Sequence, residues 1–213
     1  MENIARQIAR KLLQIKAIKL SPQNPFTWAS GLRSPIYCDN RIILSHPEIR
    51  TMVIEAFRSK AERFLPFDGI AGVATAGIAH GALLAQAMGL PFIYVRDKAK
   101  GHGRQNTIEG AWSPGQRWLV IEDLISTGGS SLKAVETLRE SGCEAAGVLA
   151  IFTYGFPQAE KAFVEANCPL DTLSNYPTLL EEAAREDYIS QAARQALEIW
   201  RQDPKAWSEQ QVS

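Results

Sequence analysis

Apolar positions along the chain follow two rhythms. Over residues 3–18, Ile4, Ile8, Leu12 and Ile15 recur at helical spacing, while Arg6, Arg10, Lys11 and Lys16 fall mostly elsewhere. That pattern predicts an amphipathic helix. A second helix is expected over 47–63, where Pro47 suits a first turn. Between them, 24–45 is irregular and rich in Pro, Ser and Gly, with a short β-like stretch at Ile36-Tyr37-Cys38. From residue 68 the apolar residues instead run continuously. Segments 68–73, 91–95, 118–121 and 146–152 read as short buried strands. Helical segments at 77–88, 129–141 and 157–167 fall among them, the first two stopping at Gly89 and Gly142. Residues 178–201 predict one or two closing helices, and the last dozen residues read as a frayed tail.

Strands separated by helices, with apolar runs rather than alternation, predict an α/β fold with a mostly parallel sheet covered on both faces. Neither an internal repeat nor a low-complexity linker marks a boundary, so a single domain over 1–213 is expected. Lys plus Arg total 23 and Asp plus Glu total 23. A chain without net charge is poorly suited to nucleic acid or an anionic membrane. No apolar run approaches the roughly 18 residues of a membrane span. Met1-Glu2-Asn3 does not begin a signal peptide, and three scattered cysteines suit a reducing compartment, so a cytoplasmic protein is expected.

The balanced total hides local chemistry. In Trp118-Leu119-Val120-Ile121-Glu122-Asp123-Leu124-Ile125-Ser126-Thr127-Gly128-Gly129-Ser130, an apolar strand leads into paired acids and then a Gly-rich helix start. Glycines let backbone N–H groups approach an anion, and a helix N-terminus adds donors and partial positive charge. Such a loop can cradle phosphate, while the acids suit hydroxyls, a cation or a developing positive centre. The plainer alternative is a capped helix following a solvated strand end. Neither GxxxxGK[ST] nor GxGxxG occurs.

This segment resembles the phosphoribosyl-diphosphate motif of the type I phosphoribosyltransferases. The resemblance implies their fold, with Glu122 and Asp123 on the ribose hydroxyls and Leu124, Ile125, Ser126, Thr127, Gly128, Gly129 and Ser130 around the 5-phosphate. Two further segments are similar to the orotate branch. Residues 96–110 hold Arg96, Lys98, Lys100 and Arg104 against Asp97, with His102 and almost no apolar anchor, which predicts a cationic surface loop. The resemblance makes it a mobile lid, with Arg96, Lys100 and His102 on the diphosphate and Lys100 and Asp123 catalytic. It also implies a homodimer whose lid acts in the neighbouring subunit. Phe26 to Arg41, within a hood of about 20–45, is similar to the part of that branch that covers the base. Tyr37 and Cys38, with Ser126, would then contact orotate.

Val73-Ala74-Thr75-Ala76-Gly77-Ile78, at another strand-to-helix turn, looks like the family's diphosphate loop. The implied reaction moves ribose 5-phosphate from 5-phosphoribosyl 1-diphosphate to N1 of orotate, in pyrimidine biosynthesis. Mg2+ would arrive on the diphosphate, so no dedicated protein metal site is expected. The chain departs from some members at Ala29, Asp97 and Tyr154-Gly155, where they carry lysine, lysine and arginine. Two rivals follow from the same residues: a purine phosphoribosyltransferase, and a regulatory protein that binds the sugar diphosphate without catalysis.

Overall fold

The computed structural model describes residues 3–28, 30–97 and 107–211. The chain divides into two compact units, Pro47–Leu173 and Met1–His46 with Ser174–Ser213.

The Pro47–Leu173 unit is built on strands β5 (Gly69–Val73), β6 (Phe92–Val95), β7 (Ile108–Glu109), β8 (Arg117–Ile125) and β9 (Glu144–Thr153). Together with β10 (Leu170–Asn175) they form a six-stranded sheet in the order β10-β9-β8-β5-β6-β7. Neighbours β6, β5, β8 and β9 pair in parallel, and β7 returns antiparallel to β6. Helices α2 (Pro47–Ala61), α3 (Ala76–Met88), α4 (Gly129–Glu140) and α5 (Pro157–Glu165) make the connections. All of β5 is buried, as is most of β8 and β9. Their continuous apolar runs therefore mean strands buried on both faces. Trp118, Val120, Val148 and Leu138 sit in the core beside Phe163.

This arrangement puts the site where it is. Gly72 pairs with Ile121 on one side and Tyr94 on the other, so β5 and β6 stop level with Glu122 while β8 runs on to Ile125. Loops leaving those ends become neighbours although 74–76 and 126–130 lie some fifty residues apart in sequence. Gly77 completes the approach. A Cβ there would run into the Ile121 carbonyl oxygen, so only glycine lets α3 start against the middle of β8.

The other unit begins with α1 (Ile4–Gln14), capped by Asn3, whose side chain accepts from the Ala5 amide at 2.9 Å. The helix ends before residue 18 because Lys16 takes a left-handed conformation (φ 58°) and Ile18 enters a strand. That strand, β1 (Ile18–Leu20), pairs antiparallel with β4 (Ile36–Cys38). A smaller ladder joins β2 (Phe26–Thr27) and β3 (Arg33–Ser34). Trp28 donates its indole N–H to the Ile36 carbonyl at 3.0 Å and meets Trp200 edge-on.

Helices α6 (Tyr176–Arg185), α7 (Gln191–Gln202) and α8 (Pro204–Gln210) complete this unit. The buried Glu182 carboxylate receives Arg185 at 2.8 Å, with Arg10 at 3.5 Å. The expectation of a frayed tail is corrected by α8. Asp203 caps it through the Ala206 amide at 2.9 Å, Pro204 opens it, and Trp207 and Ser208 are buried. Ser208 Oγ also accepts the Arg33 amide at 2.8 Å, which ties the chain end down.

Candidate active site

A cavity of about 290 Å³ opens at the carboxyl ends of β5 and β8, within the Pro47–Leu173 unit. Two segments line it, Ala74-Thr75-Ala76 and Glu122-Asp123-Leu124 with Ser126 through Ser131. The structure thus brings the proposed diphosphate loop and the proposed phosphate cradle to one place. The Ala74–Thr75 peptide is cis.

Both helices that begin here do so without a side-chain cap. Thr75 at the start of α3 and Gly128 at the start of α4 make no capping hydrogen bond through a side chain. Each start therefore presents unsatisfied backbone donors and the positive end of a helix dipole. Two such ends directed at one cavity form a site for a ligand with two anionic groups. Gly128 is obligatory at its position. Its φ is 83°, a left-handed conformation, and a Cβ would lie 2.7 Å from the Phe163 ring.

The two acids differ. Glu122 is 6% exposed, accepting from Ser131 Oγ at 3.1 Å and from the Asp123 amide at 3.0 Å. Burial, with the negative charge of Asp123 beside it, pushes the Glu122 carboxyl up to about 8. Glu122 is therefore largely protonated near neutrality, and Asp123, only partly buried, is the anion at the cavity. A folded-state value above the unfolded one means that the native protein holds this proton more tightly. Its contribution to stability is complete below the ordinary value of 4.5 and is lost as the pH rises through about 8. We expect Glu122→Gln to flatten that fall. Urea unfolding across the window measures it, and an unchanged slope would contradict it.

The remaining sequence-predicted residues distribute as follows. Leu124, Ser126, Thr127, Gly128, Gly129 and Ser130 line the cavity, whereas the Ile125 side chain is fully buried and does not. Arg96 also lies outside this lining, with its guanidinium 3.3 Å from the Glu109 carboxylate. Lys100 and His102 fall outside the described residues. Tyr37 and Cys38 lie on β4 of the other unit, with the Tyr37 ring 5.8 Å from that of Phe26. Ser131 was missed by the sequence reading, although its place in the first helical turn turns it back toward the strand end. Lys133 was missed as well, and it donates to the Asp97 carboxylate at 2.7 Å.

Comparison with known proteins bears directly on this geometry. The family model of the phosphoribosyl transferase domain matches residues 40–175. An orotate phosphoribosyltransferase of Bacteroides fragilis is 56% identical over 208 residues, 97% of this chain and 98% of that protein. The chain belongs to the orotate phosphoribosyltransferase family. The crystal structure of the orotate phosphoribosyltransferase from Aeropyrum pernix matches with a TM-score of 0.75 at 27% identity, covering 86% of this chain and 99% of that one. Leishmania donovani UMP synthase matches with a TM-score of 0.79 at 26% identity, and this chain spans 42% of that longer protein. Like other orotate phosphoribosyltransferases, the chain is a pentosyltransferase of pyrimidine biosynthesis with the type I fold.

Proposed function

We propose that the cavity binds 5-phosphoribosyl 1-diphosphate and that the chain transfers its ribose 5-phosphate group to N1 of orotate, releasing diphosphate. The observation that carries this is the convergence of two uncapped helix starts and an acid pair on one cavity. The sugar substrate carries phosphate at one end, diphosphate at the other and hydroxyls between. The 126–130 loop suits the 5-phosphate, and the 74–76 loop suits the diphosphate through its backbone donors. Glu122 and Asp123 line the same cavity as these loops and suit the ribose hydroxyls.

Breaking the C1–O bond leaves oxocarbenium-like charge on the ribose. Asp123 supplies the negative charge that stabilises it, and Glu122, which burial holds largely protonated, adds no second charge beside it. The electron pair of the broken bond leaves with the diphosphate, and orotate N1 forms the new bond to C1 from the opposite face as its N–H proton passes to a diphosphate oxygen. No enzyme nucleophile is needed.

Magnesium fits as a companion of the substrate. Among the described residues, no group of three or more His, Cys, Asp or Glu could hold a metal ion. The ion would come with the diphosphate, and Asp123, which lines the cavity, is the carboxylate that would hold it there. When bound, it offsets charge on the leaving group. Lys100 and His102 keep their role at the diphosphate on the strength of the sequence resemblance. So do Tyr37, Cys38 and Ser126 at orotate and the homodimer with shared sites, while the three scattered cysteines support a cytoplasmic location. No helix among the described residues is long and apolar enough to cross a membrane. Chromatography of the mixed substrates should show orotidine 5′-phosphate, and its absence would overturn the proposal.

A further inference from the structure

The diphosphate loop is short of charge. Ala74, Thr75 and Ala76 offer backbone donors but no cation, although the group they would hold is the most highly charged part of the substrate. A second recess, of about 160 Å³, lies beside the loop and is lined by Val73, Ala74, Val95, Arg96, Asp97, Ser130, Lys133 and Ala134. Ala74 and Ser130 line both this recess and the main cavity, so the two are contiguous. Arg96 and Lys133 are the cations of its lining, and they enter from different elements. Arg96 follows β6 and is engaged by Glu109 at 3.3 Å. Lys133 stands one turn into α4, with its ammonium donating to the Asp97 carbonyl at 2.8 Å and to the Asp97 carboxylate at 2.7 Å.

We infer that Lys133 is a further diphosphate-binding residue, held ready at the edge of the site by Asp97. This rests on the proposed function and assigns one more group within it. Lys133 comes from the same helix whose start cradles the 5-phosphate, while its ammonium stands against the segment that follows β6. It can therefore reach the diphosphate end while the helix start serves the other end. The Asp97 pair is half exposed, at 55% and 68% of the side chains, so giving it up for a multiply charged anion costs little. The exchange replaces a solvated carboxylate contact with a charge-assisted bond to a denser anion. Asp97 thus turns from a departure from the family pattern into the holder of the cation that this loop lacks.

Calorimetric titration of inorganic diphosphate and of ribose 5-phosphate, each with magnesium, into the full chain tests the assignment. Lys133→Ala should weaken diphosphate binding by about ten- to a hundredfold, the range of one hydrogen bond to a charged group, and leave ribose 5-phosphate binding unchanged. Lys133→Arg should restore most of the loss. Unchanged diphosphate binding in Lys133→Ala would overturn the inference, as would equal weakening of both ligands. Failure of both ligands to bind the unsubstituted protein would instead overturn the proposed site itself.

Discussion

Asp123→Asn is expected to lower turnover with orotate by about 10²–10³-fold, the scale of removing one preorganised electrostatic contact to a transition state. Asparagine preserves the size of the side chain and its place on β8, so packing is left intact. What disappears is the negative charge at the cavity. Glu122 is a poor substitute, because it is 6% exposed and desolvation, the largest cause of its raised value, remains in the variant. The loss should fall on turnover more than on sugar-diphosphate affinity, since the charge matters most as the ribose becomes cationic. A second readout follows from the coupling of the acids. The charge of Asp123 is one of the causes that raise the Glu122 carboxyl. Neutralising it should bring that value down, so that the loss of stability with rising pH becomes smaller and ends at lower pH. Turnover within about threefold of the unsubstituted enzyme would return Asp123 to an ordinary strand-end residue.

Lys100→Ala is expected to reduce turnover by about a hundredfold or more, with affinity for 5-phosphoribosyl 1-diphosphate nearly unchanged. Two cations near the diphosphate loop are already engaged, Arg96 by Glu109 and Lys133 by Asp97. Within the cationic segment that resembles the family's lid, the resemblance gives Lys100 the role of meeting charge as it develops on the departing diphosphate. Lys133, in contrast, should act on binding. The two lysines therefore separate kinetically, one in kcat and the other in affinity. The proposed homodimer with shared sites gives this variant a further use. Mixed with Asp123→Asn, it should yield activity that neither variant has alone, because one site then combines an intact lid with an intact acid pair. A mixture as inactive as its components would contradict shared sites, and near-normal turnover in Lys100→Ala would contradict the role of the lysine.

Much of this architecture can be read from residues alone. Strands buried on both faces announce themselves as Gly69 to Val73, Trp118 to Ile121 and Ala146 to Phe152, because a parallel sheet under helices has no polar face to interrupt the run. The phosphate cradle is legible for a similar reason, since close backbone approach needs glycine and leaves few alternatives at Gly128. Contacts distant in sequence are not legible. The meeting of Ala74–Ala76 with Ser126–Ser131 depends on β5 and β8 being neighbours. The unequal acids depend on depth: Glu122 and Asp123 are adjacent in the chain, but one is 6% exposed and the other only partly buried. Strands of two or three residues, such as β2 and β3, are too short to show a period. Helix α8 was hidden by its polar composition, although Asp203-Pro204 is the cap and first-turn pair that starts such a helix.

The central claim is that one cavity joins a sugar diphosphate to orotate. Its most direct measurement mixes the protein with 5-phosphoribosyl 1-diphosphate, magnesium and one base at a time: orotate, adenine or hypoxanthine. Ultraviolet absorbance follows consumption of each. Loss of orotate alone, dependent on the sugar diphosphate, is the predicted result. Loss of only a purine, or of no base at all, would contradict it.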